Sequence, residues 1–386
     1  MFIYENRYNT IHNSPSYGAC LQSYALYLYL SMQPEVDCEI INLHRPYQAD
    51  YIASRRYRPY QSSFGKLKLK IKHLRNCLLN KKKPIYYSVA SIQKFKDFNE
   101  KIKTSQPYFS IDSLYSNPPE YDIYITGSDQ VWNPLQPYCV EPFFLTFVPE
   151  GKKRISYAAS IGIATLPKEM KKKYKEWLSK YDAISVRENE AKHLLESFIS
   201  KSVVQVSDPT FLLDVGQWES LSLKPAIDKP YILYFGIYGY RKLFDYALRL
   251  SNESGMPLYN LAQVQSKVVD NSYIPVTDAG PQEFLGYIAN ADMVITDSFH
   301  GTAFSILMGT KNFYTYIAPN NQRGSRIRNL LETYGLSHHT LDTKFNESFF
   351  QLSSNEICRT DILSIILQEQ NRSRNFLLSY IKHFNE

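Results

Sequence analysis

Short apolar runs alternate with amphipathic helical stretches in two successive series, and this pattern constrains the chain more than any other feature. In the first series, residues 38–43, 121–126, 155–159, 183–186 and 203–206 read as strands, and 18–30, 166–180 and 188–199 as helices. After a polar, Pro-containing stretch at 214–230 the pattern resumes. Strands are expected at 231–235, 257–261, 293–296 and 312–316, and helices at 241–253, 281–289, 301–308 and 326–334. A long helix over 355–384 closes the chain. Runs such as Met293-Val294-Ile295 are apolar throughout rather than alternating, as expected of strands buried on both faces. Repeated strand–helix units predict an α/β protein of two Rossmann-like lobes with parallel sheets. The expected boundaries are an N-terminal lobe over 1–214 with an insertion at 53–104, a linker over 215–230 and a C-terminal lobe over 231–353. The terminal helix, 354–386, is able to pack back on the first lobe.

A chain of 386 residues exceeds what one small core serves. With 44% hydrophobic and 21% charged residues it falls in the globular range, which excludes wholesale disorder. No apolar run approaches the roughly 20 residues of a membrane-spanning helix. The start, Met1-Phe2-Ile3-Tyr4-Glu5-Asn6-Arg7, lacks the basic patch and apolar stretch of a signal peptide, so a cytoplasmic location is expected. The five cysteines are widely spaced and none has CxxC spacing, which argues against a disulfide framework and a Cys-rich zinc site. Neither a metal nor a cofactor is expected.

Charge is unevenly placed. Residues 53–104 hold 15 Lys and Arg against two acids, a net +13 that leaves −6 for the rest of a +7 chain. Within this block Leu67, Ile71, Leu74 and Leu78 recur at helical spacing, which predicts a basic amphipathic helix. It is either a solvated insertion or a contact for anionic lipid or a lipid-diphosphate sugar carrier. Nucleic acid ranks last, because no recognition motif accompanies the charge.

Ligands of open parallel sheets bind beyond the carboxyl ends of the strands. The sharpest such junction is Thr296-Asp297-Ser298-Phe299-His300-Gly301-Thr302, where an apolar strand turns at once into a helix whose first amides favour an anion. His300 serves there as a phosphate-binding cation or a general acid, or else packs against a turn capped by Asp297 and Ser298. Arg323 and Arg326 flank a Gly-Ser turn suited to bidentate phosphate or carboxylate binding. Arg187 follows the 183–186 strand directly and either faces a ligand or is a surface residue held by Glu188 or Glu190, and Tyr17-Gly18 lies at a turn entering a helix. In Gly127-Ser128-Asp129-Gln130-Val131-Trp132-Asn133, Asp129 is able to take a proton from a hydroxyl and Trp132 to stack on a sugar; the alternatives are a cap and a core residue. GxxxxGK[ST], GxGxxG, HExxH and GxSxG are all absent, which argues against an NTPase, a Rossmann dehydrogenase, a zincin and an α/β-hydrolase.

Taken in order, Tyr17-Gly18-Ala19-Cys20-Leu21-Gln22, Tyr121–Asn133, Tyr157–Gly162, Ser185-Val186-Arg187-Glu188, Asp208-Pro209-Thr210, Pro281–Leu285 and Thr296–Ile306 resemble the polysaccharide pyruvyl transferase family. The short Phe2-Ile3-Tyr4 run departs from its usual apolar first strand. The resemblance implies a fold like the two-lobed GT-B glycosyltransferases. It also implies transfer of pyruvate from phosphoenolpyruvate (PEP) to two hydroxyls of a sugar, giving a cyclic ketal. The donor would bind between the lobes through Arg187, His300 and either Arg323 or Arg326, with Ser298 and Gly301 at the helix start. Asp129 or Asp297 would be the base, and His300 would hold phosphate or supply a proton. Tyr17, Gly18, Gln22, Ser128, Trp132 and Asn133 would form the acceptor subsite in the first lobe. The expected acceptor is a galactoside or mannoside on a polyprenyl diphosphate carrier, reached at the inner face of the membrane, with no nucleic acid involved. The alternatives are a nucleotide-sugar glycosyltransferase of the same fold or a non-catalytic sugar-binding member.

Overall fold

The computed structural model describes residues 4–9 (as backbone), 12, 14–45, 48, 50–54, 57, 87–136, 139–261, 272–319, 321, 324–355 and 357–381. These fall into two compact units, one drawn from 1–10, 30–85 and 103–205, the other from 11–29, 86–102 and 206–386. The leucine-spaced basic run 66–83 lies outside the described residues.

In the first unit, strands β1 (Tyr4–Asn9), β2 (Val36–Ile40), β3 (Ile123–Thr126) and β4 (Lys153–Ser156) form a parallel sheet in the order β2-β1-β3-β4. Strands β5 (Ile184–Val186) and β6 (Val203–Gln205) pair in parallel, and bridges Ile155–Ala183 and Ala159–Val186 join them to β4. The order reverses between β1 and β3, so the switch point faces the 127–133 turn. Although Phe2-Ile3-Tyr4 departs from the family's usual apolar first strand, β1 runs over Tyr4–Asn9 and sits inside the sheet, paired on both sides. Its Glu5, Asn6 and Arg7 hide it from an apolarity search.

The second unit carries six parallel strands, β7 (Ile232–Phe235), β8 (Leu258–Asn260), β9 (Ile274–Pro275), β10 (Met293–Thr296), β11 (Phe313–Tyr316) and β12 (Thr340–Leu341). Their order is β12-β11-β10-β7-β8-β9, the doubly wound pattern with its switch point between β7 and β10. Phe235 and Thr296 pair across this point at the carboxyl ends of their strands. Both strands are buried along their whole length, as their unbroken apolar runs predict. Leu243, Ala247 and Leu250 of the Arg241–Ser254 helix join Ile232, Ile295 and Tyr314 in one core.

The division differs from the sequence boundaries in four ways, the first being that 86–102 of the insertion expected at 53–104, with the helix Val89–Asn99, belong to the second unit. Residues 11–29, with most of the Tyr17–Ser31 helix, belong to the second unit. The stretch read as a linker opens with the helix Val215–Leu221, anchored by fully buried Trp218, whose Nε1 donates to the Thr210 carbonyl at 2.9 Å. The terminal helix Arg359–Ile381 packs on 207–214 through Gln370 to Leu213, Arg374 to Leu212, and Ser373 to the Ser207 amide. That strip was assigned by sequence to the first lobe, whereas its contacts belong to the second unit.

Two stability predictions arise here. A Cβ on Gly286 would lie 1.8 Å from the Leu223 carbonyl oxygen, a backbone atom with little room to yield. Gly286→Ala should therefore cost at least about 1–3 kcal/mol of unfolding free energy; an unchanged urea midpoint would show that the helix shifts freely. His339 is fully buried and bonds the Phe313 carbonyl through Nδ1 at 2.7 Å, and burial depresses its pKa to about 4. The unfolded imidazole takes up its proton first as pH falls, so this group's stabilisation is complete above about pH 6.5 and is lost toward pH 4. It is worth about 3 kcal/mol. The stability difference between wild type and His339→Phe should shrink over that window, and a pH-independent difference would contradict the assignment.

Candidate functional site

Each unit presents polar side chains at the carboxyl ends of its strands. In the first unit, β5 delivers Arg187, whose side chain is only 2% exposed. Its Nε donates to Glu188 Oε1 at 3.0 Å, and the same oxygen accepts from Ser160 Oγ at 2.7 Å. Arg187 Nη2 lies 4.0 Å from Asp129 Oδ1. Asp129 stands just beyond β3 with φ +69°, a left-handed conformation that Asp tolerates better than most residues. Its carbonyl accepts from the Val131 and Ser160 amides, which fixes the turn. Arg187 is thus a buried guanidinium held by one carboxylate and facing a second, and Asp129, 16% exposed, is the more accessible of those two acids.

The other residues expected in this turn do not serve it. Trp132 is fully buried, stacked on Phe144 at 5.3 Å, and donates from Nε1 to the Phe143 carbonyl. It has no face for a sugar, so the stacking assignment is corrected. Asn133 is equally buried, bonded to Gln130 Oε1 and to the Leu135 amide, and Ser128 is sealed inside. These three shape the turn and do not line a subsite.

In the second unit, Ser298 caps the Phe299–Met308 helix, its Oγ accepting from the Gly301 amide at 3.2 Å. Ser298 is itself held by Thr296, which accepts from the Ser298 amide and donates to the Phe235 carbonyl. Gly301 is buried against this turn, where a Cβ would lie 2.5 Å from Thr296 Oγ1. His300 therefore stands in the first helical turn at the β7–β10 switch point, where the helix dipole favours an anion. Its Nε2 lies 3.8 Å from Oδ2 of buried Asp208. Asp208 Oδ1 accepts from the amide and the hydroxyl of Thr210, which locks the carboxylate. On the other side of the ring, a Cβ on Gly18 would fall 2.1 Å from His300 Nδ1. Only glycine lets the helix start at 17–18 approach this closely.

Gly18 is thus a neighbour of His300 in the second unit, not an acceptor residue of the first lobe. Tyr17 and Gln22 are corrected with it. Tyr17 stacks on Phe284 at 4.6 Å and donates to the Ala279 carbonyl, and fully buried Gln22 donates to the Ala19 carbonyl. Asp297, proposed as a base, is 1% exposed and accepts from the Ile237 amide at 2.6 Å and the Tyr238 amide at 3.1 Å. Burial raises its pKa to about 6 against the pull of those hydrogen bonds. These bonds anchor the loop after β7, and Asp129 is the more exposed of the two candidate bases. Arg326 is buried with its guanidinium 5.8 Å from the Phe299 ring centroid; Arg323 lies outside the described residues. Sequence reasoning gave no role to Asp208, although an acid just beyond a predicted strand was a readable signal. It also gave none to Glu188 beyond a local partner for Arg187.

Among the described residues there is no cluster of three metal-ligating side chains and no helix long and apolar enough to cross a membrane. The sequence matches the polysaccharide pyruvyl transferase family over residues 17–317. Similar solved structures include S. aureus MnaA with UDP, at TM-score 0.53 and 9% identity, covering 100% of this chain and 97% of that one. A Listeria monocytogenes protein assigned as a UDP-N-acetylglucosamine 2-epimerase has TM-score 0.51 and 11% identity, with 99% and 96% covered. Arabidopsis thaliana UGT89C1 complexed with quercetin has TM-score 0.51 and 9% identity, with 98% and 99% covered. At such identities the likeness is one of fold, the GT-B architecture expected from the sequence. No curated protein matches the sequence at a significant level.

Proposed function

Since the chain belongs to the polysaccharide pyruvyl transferase family, we propose that it transfers pyruvate from PEP onto two hydroxyls of a sugar in surface polysaccharide synthesis. The observation that carries this reading is His300, set in a helix's first turn at a sheet switch point and backed by a buried carboxylate. PEP bears a carboxylate and a phosphate, and the cations that the family resemblance assigns to them are Arg187, His300 and either Arg323 or Arg326. Protonation of the PEP methylene carbon makes C2 electrophilic, and one sugar hydroxyl adds there as its proton leaves to Asp129. Phosphate then departs with the C–O electron pair, and the second hydroxyl adds to the same carbon and closes the ketal as its proton passes to the departing phosphate. His300 either donates the first proton or steadies the phosphate. No cofactor enters this sequence.

Thermal shift separates this reading from a nucleotide-sugar glycosyltransferase. A ligand at 100 times its Kd stabilises by about 2.7 kcal/mol, so PEP should raise Tm clearly while UDP-sugars leave it unchanged. The opposite ranking would favour the glycosyltransferase, and a shift with neither would favour a non-catalytic sugar-binding protein.

The acceptor is assigned as a galactoside or mannoside on a polyprenyl diphosphate, handled at the cytoplasmic face of the membrane. The support for the anionic carrier is the +13 charge of residues 53–104, since each basic residue near an anionic surface contributes about 1 kcal/mol. The protein should sediment with anionic vesicles at low salt and not with neutral ones, and charge reversal at Lys81, Lys82 and Lys83 should release it. Equal, negligible sedimentation with both vesicle types would remove the membrane assignment.

A further inference from the structure

The burial of Trp132 leaves the proposed sugar without its stacking partner, but the second unit displays another aromatic surface. Tyr238 and Tyr240 lie in the loop after β7, and Tyr316 ends β11. All three are partly exposed at the carboxyl edge of the sheet, beside the switch point that carries His300. Ring centroids are 5.8 Å apart for Tyr238–Tyr240 and 5.4 Å for Tyr240–Tyr316, the second pair meeting edge to face. Tyr240 and Tyr316 rest their inner sides on the core around Tyr234, Phe244 and Phe345, so their rings are fixed before any ligand arrives. Asp297 holds the loop itself through the Ile237 and Tyr238 amides. The aromatic surface and the His300 turn are therefore tied to one carboxylate.

We propose that Tyr238, Tyr240 and Tyr316 form a subsite for a neutral sugar ring. The chemistry selects this ligand class. Phenol rings offer apolar faces to the C–H side of a pyranose and hydroxyls to its rim, at low entropic cost. An anion is disfavoured, because the Asp297 carboxylate bonds the Tyr238 amide and acts electrostatically on Tyr240. The adjacent cation, Arg241, is turned away onto Asp245 at 2.7 Å and the Phe244 ring. Burial first, and then Asp297, Tyr238 and Tyr316, raise the Tyr240 hydroxyl above its ordinary pKa, so it stays a neutral donor and acceptor across physiological pH. That this sugar is the acceptor rests on the pyruvyl transfer reading; sugar binding at the cluster does not.

Saturation-transfer NMR with methyl β-galactoside and methyl α-mannoside tests the subsite without turnover. Wild type should give a signal from at least one of these sugars, and Tyr240→Ala and Tyr238→Ala should weaken its binding about tenfold. Tyr240→Phe, which keeps the ring and its packing, should lose less. PEP affinity measured by calorimetry should be the same in all four proteins. Wild-type sugar binding in both alanine variants, or no signal from either sugar with wild type, would overturn the subsite. Binding that is lost in the variants while wild type releases no phosphate from PEP would leave the subsite standing and remove the pyruvyl transfer reading.

Discussion

Gly18→Ala is expected to fold at close to wild-type stability and to lose on the order of 10²-fold or more in PEP turnover. The new Cβ would stand 2.1 Å from His300 Nδ1 and 2.4 Å from Cγ, so the imidazole must swing away. The obstructed atoms belong to a rotatable side chain, which makes the displacement cheap for the fold. For catalysis it is costly, because a misplacement of about 1 Å is enough to lose roughly 10²-fold. Gly286→Ala sets the contrast, since its Cβ meets backbone and the fold bears the cost. Wild-type turnover in Gly18→Ala, at an unchanged urea midpoint, would show that His300 need not stand where Gly18 lets it stand.

Arg187→Ala should weaken PEP binding roughly 10- to 100-fold, the loss of one charge-assisted contact worth about 1.5–3 kcal/mol. It should also cost about 3–5 kcal/mol of stability, because Glu188 would be left as a buried carboxylate without its guanidinium. The two effects separate in the double variant Arg187→Met/Glu188→Gln, which removes both charges and keeps the volume. That protein should recover most of the stability and none of the PEP affinity. Wild-type affinity by calorimetry in either variant would take Arg187 out of the donor site.

Elements that an apolar run or a helical period defines were legible in the sequence. The Pro281–Ala289 helix and the strand Met293–Thr296 fall on their expected residues, and most other ends shift by one to four. β1 was not legible, because its place in the sheet comes from backbone pairing with β2 and β3 while its sequence is polar. The candidate site was legible as a set of strand-to-helix junctions, since these follow from local pattern. Which side chains at a junction face outward was not. Trp132 is sealed by Phe144 and Tyr181, and Gly18 meets His300 from a distant part of the chain. The unit boundaries were hidden for the same reason, since the chain crosses between units several times and local composition records no crossing.

The central claim is transfer of pyruvate from PEP to a sugar, and phosphate release measures it most directly. Purified protein given PEP with free and lipid-linked galactosides and mannosides should release phosphate only when an acceptor is present. The product should carry an acid-labile ketal, and His300→Ala should release none. Acceptor-dependent release that survives in His300→Ala, or no release by wild type with any acceptor, would contradict the account.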